Sequence, residues 1–492
     1  MSYAFRPLTQ IVLLPIIMAP IVYYSSKRLG TKSGYVAFAT LSYVTALMIG
    51  VAYAYVITGN EIWEKYSWAP VAGLFFGLRA DGLSIPVALM ILLLSTATSI
   101  YSISYMEHKS GVGMYFALYL LYAAGMVGTV LATNLIQFYL FWELMLVPSY
   151  FLIAEWGYGD RERVSFKYFL YTHVGALSLL AGILATYAFA GTFNINELSY
   201  KASSIPSNVL VWIIVAMCIG FFVKMAVVPL HTWLPDAHAE APTPISMLLS
   251  GVMIECGVYA MTRIIISQFY SIFANFTTTL MALAVVTMFY GGMMALVQSD
   301  IKRLLAYSSI SQMGYMLFGM ATATYYGVVG SIYHIISHAC AKGLLFACAG
   351  AIMHQTEGKR DIRILGGLAQ RMPVTAILFT VGVFSLAGVP TLAGFISEFM
   401  IFLGGFEQVG ATEKMAIVVI AVLCAALTTA YGLWTLRRVF FGPLKPELSE
   451  VKEASLLMLI PMSFLAILSF LFGMYPRIPL TFLDPWAKSV IP

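Results

Sequence analysis

The segment Phe221–Pro244, FFVKMAVVPLHTWLPDAHAEAPTP, decides how this chain is read. It begins as an apolar helix, places Lys224 inside that helix, and then meets Pro229 and Pro235 within the same pattern. Proline lacks a backbone donor and clashes with the preceding turn, so the helix is expected to unwind here. At membrane depth, unwound backbone survives only where protein or a wet cavity satisfies it. A second stretch, Phe384–Phe399, FSLAGVPTLAGFISEF, repeats the arrangement with Gly388, Pro390 and Gly394 at the break and Glu398 just after it. A pair of such breaks points to two structural repeats, each with a broken helix. Ordinary proline kinks are the alternative, but they leave Lys224 and Glu398 beside the breaks unexplained.

Composition sets the class around these segments. The 492 residues are 60% hydrophobic and 10% charged, with a mean hydropathy of +0.87. Soluble domains carry about 25% charged residues, so the chain reads as an all-α integral membrane protein. About fourteen spans are expected, at residues 10–25, 34–58, 82–104, 112–132, 134–156, 164–190, 208–240 (broken), 244–266, 277–298, 303–321, 325–354, 375–404 (broken), 412–436 and 455–476. Met1–Gln10 lacks the charged, apolar and small-residue order of a cleavable signal. With the N-terminus outside, one set of loops collects about twice as many Lys and Arg as the other, which places the richer set in the cytoplasm and both termini outside. Arg79 and Arg263 fall in the poorer set, and the pair Asp300 and Lys302–Arg303 is expected to anchor at the interface. The net charge of +5 is then a topology signal, and no nucleic-acid partner is expected.

Cofactor chemistry is not written into the chain. The five cysteines, Cys218, Cys256, Cys340, Cys348 and Cys424, lie in apolar stretches without CxxC or Cys/His ligand spacing, so no metal site is expected. A glycine-rich nucleotide loop is likewise missing.

What the chain does carry is ionisable side chains where hydrocarbon should be, and such groups are rare without an ion or proton pathway to serve. Glu143 lies mid-helix beside the aromatic neighbours Phe141 and Trp142; a structural ion pair between helices is the alternative use. Lys224 stands before the first break, where burial and a nearby carboxylate act on it in opposite senses. Glu255, on the next helix, is a candidate partner for Lys224, either as counter-ion or as relay. His334, His338 and Lys342 are spaced i, i+4 and i+8 and line one helix face. Histidine titrates near neutral pH and passes protons along such a row. Two histidines at i, i+4 also share metal ions, but the lysine one turn on and the lack of an acidic third ligand argue against that. Glu398 follows the second break. Lys167 and His173 are secondary candidates near the start of their helix, where Lys167 has the length to snorkel to the surface.

Several further segments complete a pattern: ADGLSIPVALMILL (80–93), FYLFWELMLVPSYFLI (138–153), QSDIKRLLAYSSISQMGYM (298–316), HIISHACAKGLLF (334–346) and LGGLAQRMP (365–373). With the two broken segments, they make most of the chain resemble the antiporter-like membrane subunits of respiratory complex I, membrane-bound hydrogenases and Mrp-type cation/proton antiporters. The resemblance implies fourteen helices with two inverted five-helix repeats. It divides the chain into N-terminal helices at 1–110, a first repeat at 111–266, a second at 277–440 and a C-terminal helix and tail at 441–492. In these terms Glu143 resembles the half-channel glutamate and Lys224 the broken-helix lysine. His334, His338 and Lys342 resemble the central relay, and Glu398 the terminal outlet. A glutamate at that outlet is similar to the M/4-type subunit of complex I, while the lysine of SHACAKGLLF is closer to L-type, Mrp and hydrogenase members. At Glu255 many relatives carry lysine. No long lateral helix is expected after residue 476.

The function implied is that of a proton-translocating membrane subunit of a redox-driven, NADH/quinone oxidoreductase-like respiratory complex. Charge changes would pass from Glu143 through Lys224, His338 and Lys342 to Glu398 by coupled titration. Partners would be other antiporter-like subunits and a peripheral redox arm holding the iron–sulfur, flavin or nickel centres, in a cell membrane or equivalent energy-conserving bilayer. Alternatives are a subunit of a membrane-bound hydrogenase-type complex, or a Mrp-type Na⁺/H⁺ antiporter with Glu255 and Glu398 as sodium ligands near unwound carbonyls. A passive anchor ranks last.

Overall fold

The computed structural model describes residues 6–69, 74–408 and 412–491. Met1–Phe5, at the head of the segment read for a signal and of the 1–110 region, and the terminal Pro492 lie outside the described residues. Two long helices open the chain, α1 (Pro7–Leu29) and α2 (Ser33–Thr58), followed by a hairpin, β1 (Ile62–Ala69) and β2 (Leu74–Ala80). Then come α3 (Ser84–Tyr105), α4 (Val112–Leu131), α5 (Leu135–Trp156), α6 (Arg161–Ala190), the short α7 (Leu198–Lys201) and α8 (Ser207–Met225). The middle holds α9 (Leu234–Glu240), α10 (Thr243–Leu248), α11 (Glu255–Ala260), α12 (Ser267–Phe273), α13 (Thr277–Val297), α14 (Ile301–Ala321) and α15 (Tyr325–Gln355). The chain closes with α16 (Pro373–Leu386), α17 (Ala393–Glu407), α18 (Thr412–Phe440), α19 (Leu456–Met474) and α20 (Arg477–Val490). Among the described residues, ten helical stretches are long and apolar enough to cross a membrane, two of which, Pro7–Thr58 and Thr243–Val297, contain more than one helix.

Local chemistry explains the element ends. Asn134, Asp300 and Thr324 cap α5, α14 and α15 by accepting from free backbone N–H groups of the first turn. Gly59 and Gly191 end α2 and α6 in the left-handed conformation that glycine adopts without strain.

The antiparallel hairpin corrects the all-α expectation. Its strand IWEKYSWA alternates in exposure, and Glu64 on it accepts from the backbone N–H of Leu8 and Thr9 at 2.9 Å each, capping the start of α1. An isolated hairpin is marginal in water, so only this docking onto the helices makes it form.

Both breaks form, but differently from the expectation in one detail. The first lies between α8 and α9 and contains Pro229, whereas Pro235 sits in the first turn of α9, where its missing N–H costs nothing. Protein satisfies the unwound backbone: Trp233 Nε1 donates to Val223 O at 2.9 Å, and Val228 N donates to Thr287 Oγ1 at 3.3 Å. The second break lies between α16 and α17 and holds Gly388 and Pro390. The expected span at 244–266 is also less regular than foreseen, because π-helical turns at Leu249–Met253 and Met261–Ile266 flank α11. At the centre runs α15, buried from Gly327 to Met353 and packed against α3, α14, α16, α17 and α19.

Candidate functional site

The site is assembled on α15. His334 Nδ1 lies 2.8 Å from Ser397 Oγ on α17 and its Nε2 lies 2.7 Å from Gln312 Oε1 on α14. One turn on, His338 Nδ1 is 2.5 Å from Glu255 Oε1, and the two histidine rings stand 6.0 Å apart. A further turn on, Lys342 Nζ donates to Leu305 O at 3.0 Å and to Ser308 Oγ. The i, i+4, i+8 row therefore exists as one buried face: His334 reaches α14 and α17, His338 reaches α11, and Lys342 reaches α14. The residue beside Ser397 is Glu398, which is buried with its Oε2 against Gly388 of the second break. Tyr315 and Tyr431 are its electrostatic neighbours.

Glu255 corrects the expected pairing: it meets His338, not Lys224. Lys224 is 2% exposed, its Nζ stands 4.9 Å from the Trp142 ring centroid, and among the described residues it has no hydrogen-bond partner. The carboxylate that acts on it electrostatically is Glu143. Glu143 is less buried than its sequence suggested, with 20% of its side chain exposed and Oε2 lying 3.4 Å from His173 Nδ1. His173 thus joins the site through Glu143. Lys167 does not snorkel freely: its Nζ is 2.7 Å from Asp236 Oδ2 and donates to Thr232 O in the first break.

Three features were missed or misread. Lys302, expected at the interface, is fully buried and donates to Ala241 O after α9. His238 of α9 is fully buried and stacks 5.0 Å from Phe346, within electrostatic reach of Lys302 and Lys342. Its place in the proline-rich segment was the available signal. Arg263, counted among loop cations, is buried on a helix and forks onto Asp81 at 2.6 and 2.7 Å. Burial alone would raise the Asp81 carboxyl, but Arg263 and Arg79 beside it hold it well below the usual carboxylate range. Among the described residues no three His, Cys, Asp or Glu side chains converge as a metal site.

Fold and site together define a polytopic helical membrane protein with a row of buried ionisable groups threaded past two broken helices. The chain belongs to the NADH:quinone oxidoreductase/Mrp antiporter transmembrane family, whose profile matches residues 132–428. Residues 68–116 match a second profile, the N-terminus of chain 5 of NADH-ubiquinone oxidoreductase (complex I). The chain is similar to the F(420)H(2) dehydrogenase subunit M of Methanosarcina mazei, with 32% identity covering 95% of this chain and 94% of that one. It is also similar to the NAD(P)H-quinone oxidoreductase chain 4 1 of Synechococcus sp., with 37% identity covering 79% of this chain and 73% of the relative. Among solved structures, a chain of respiratory complex I from Thermus thermophilus superposes with a TM-score of 0.88 at 25% identity, covering 99% of each chain.

Proposed function

We propose that this chain is a proton-translocating membrane subunit of a redox-driven complex, of the M/4 type. The observation that carries the reading is the buried row in which Glu255 meets His338, His334 meets Ser397 beside Glu398, and Lys342 rests one turn away. Such groups are expensive in a bilayer and mark ion or proton routes. The names of the relatives, a dehydrogenase subunit M and a quinone oxidoreductase chain 4, support the same assignment.

In this reading the chain crosses the bilayer fourteen times, with α8–α9, α10–α12 and α16–α17 each counted as one crossing. The inverted repeats occupy 111–266 and 277–440, between the helices of 1–110 and the C-terminal 441–492. Both termini face outward in an energy-conserving membrane. Electron-transfer centres reside in partner subunits of a larger assembly. The charge step begins at Glu143 and His173, acts on Lys224, and moves along His338, Lys342 and His334 to Glu398 because close titratable groups bind protons as a coupled set. The glutamate–histidine contact at Glu255 places a carboxylate and an imidazole within proton-transfer distance at that point of the row.

The test is redox-driven proton uptake by the purified complex in vesicles. Lys224→Ala should abolish uptake while electron transfer in detergent persists; uptake at the wild-type ratio would overturn the reading. Sodium-dependent exchange without any electron donor would instead favour antiport.

A further inference from the structure

We propose that Asp81 is a positioning residue for the Glu255–His338 contact: through Arg263 it fixes the height and rotation of the helix that carries Glu255. The inference rests on Glu255 belonging to the proton row. Glu255 is held locally at one atom only. Its Oε1 meets His338, while Oε2 has no hydrogen-bond partner among the described residues. With no second local contact on the carboxylate, the placement of its helix is what keeps Oε1 within reach of His338.

That backbone is irregular and fully buried. The π-helical turns Leu249–Met253 and Met261–Ile266 lie on either side of Glu255, and such turns occur where helices carry functional distortions. The upstream turn is tied by a neutral contact, Ser250 Oγ to Ser309 Oγ at 2.7 Å. The downstream turn contains Arg263, about 12 Å along the axis from Glu255, and it is tied by charge. Arg263 Nη1 and Nη2 donate to the two Asp81 oxygens, and its Nε donates to Tyr259 OH at 3.0 Å. Tyr259 in turn donates to Val130 O at 2.6 Å, near the end of α4.

Asp81 is itself immobilised. It accepts from Leu83 N and from Ser84 N and Oγ at the start of α3, and Arg79 of the hairpin lies 3.1 Å away. Arg79 also donates to Asn196 Oδ1 at 2.6 Å. One carboxylate thus references the Glu255 helix to α3 and the hairpin, while Tyr259 ties the same helix to α4 independently of it. A bidentate guanidinium–carboxylate pair admits essentially one geometry, which a single-point ammonium does not reproduce. The pair also joins the two parts of the chain matched by different family profiles, with Asp81 in 68–116 and Arg263 in 132–428.

The experiment uses the assembled complex in vesicles. Redox-induced infrared difference spectra should contain a carboxyl band that disappears in Glu255→Gln. In Arg263→Lys, which keeps the charge and loses the fork, that band should shift and the proton-to-electron ratio should fall roughly two-fold or more, with electron transfer retained. Arg363→Lys, on the exposed loop, should leave both unchanged. Structure determination of the Arg263→Lys complex reads the claim directly: the Glu255–His338 separation should open beyond hydrogen-bonding distance. An unmoved contact in the assembled variant would overturn the proposal, and Asp81→Glu serves as second variant if Arg263→Lys does not assemble. Intact proton uptake in Glu255→Gln would sink the proton-row reading instead, while the measured separation still decides the positioning claim.

Discussion

Gly388→Ala offers a controlled displacement of the proposed outlet residue. Gly388 has φ +65°, and a Cβ built on it would stand 2.6 Å from Glu398 Oε2. That is about 0.8 Å short of ordinary van der Waals contact, so the carboxylate must retreat by roughly this amount. The substitution also carries a backbone cost of about 1–2 kcal/mol for an L-residue in the left-handed region. Gly191 separates the two effects: it has φ +69° and nothing within 4 Å of a built Cβ. Gly191→Ala should therefore lower thermal stability by the backbone cost alone, and Gly388→Ala by that cost plus the displacement of Glu398. Proton coupling should differ, because ångström-scale misplacement of a reacting group costs up to about 100-fold. We expect redox-driven proton uptake to fall by about ten-fold or more in Gly388→Ala and to stay near wild type in Gly191→Ala. Glu398→Asp in the Gly388→Ala background should recover part of the loss, since the shorter acid vacates the contact. Equal coupling in the two alanine variants would refute the argument that Glu398 is held to ångström tolerance by the break.

Other consequences are open to measurement. His334→Phe removes the partner of Gln312 Oε1, while Ser397 keeps Ser337 and the carbonyls of Ala393 and Gly394, and should cost about 1–3 kcal/mol, read as a lower melting temperature of the complex. Lys302→Met removes a charged donor to the carbonyls of Ala239 and Ala241 at the end of α9, and should cost about 1.5–3 kcal/mol in the same assay. By contrast, Lys167→Ala breaks a half-exposed pair with Asp236 and should change stability by less than about 1 kcal/mol, less still at high salt. Asp81→Asn strands a buried guanidinium and should cost about 3–5 kcal/mol. Because the folded Asp81 carboxyl is held below its unfolded value, its contribution is fully present above the unfolded range near pH 3.9 and is lost only as pH falls further. The stability gap between wild type and Asp81→Asn should thus stay flat from about pH 8 to 5; a gap that closes in that window would contradict the pairing.

Much of this site was legible along the chain because the bilayer makes charge conspicuous. Lys224, Glu255, Lys342 and Glu398 stand out in apolar runs, and the spacing of His334, His338 and Lys342 gives one face without further information. Partners were harder to read. Glu255 was paired with Lys224 because it lies on the next helix, but it follows a π-helical turn, whose extra residue changes which way the following side chains point, and it meets His338 instead. Lys302 follows an aspartate and precedes an arginine, a run that looks like a solvated anchor until α9 and its neighbours cover it. The hairpin strands are short and half-polar, and they gain their stability from capping α1 and from Arg79 beside Asp81.

By itself the sequence determined the class of protein, the position of most helices, both broken segments and the identity of the buried charges, because hydropathy and proline act locally and one residue at a time. Tertiary structure alone decided which charges meet: Glu255 with His338, His334 with Ser397 and Gln312, Asp81 with Arg263, and Lys224 with no carboxylate in hydrogen-bonding reach among the described residues. Those pairings depend on helix rotation and on contacts between residues far apart in the chain. A rotation of one residue turns a helical side chain by about 100° and exchanges one partner for another.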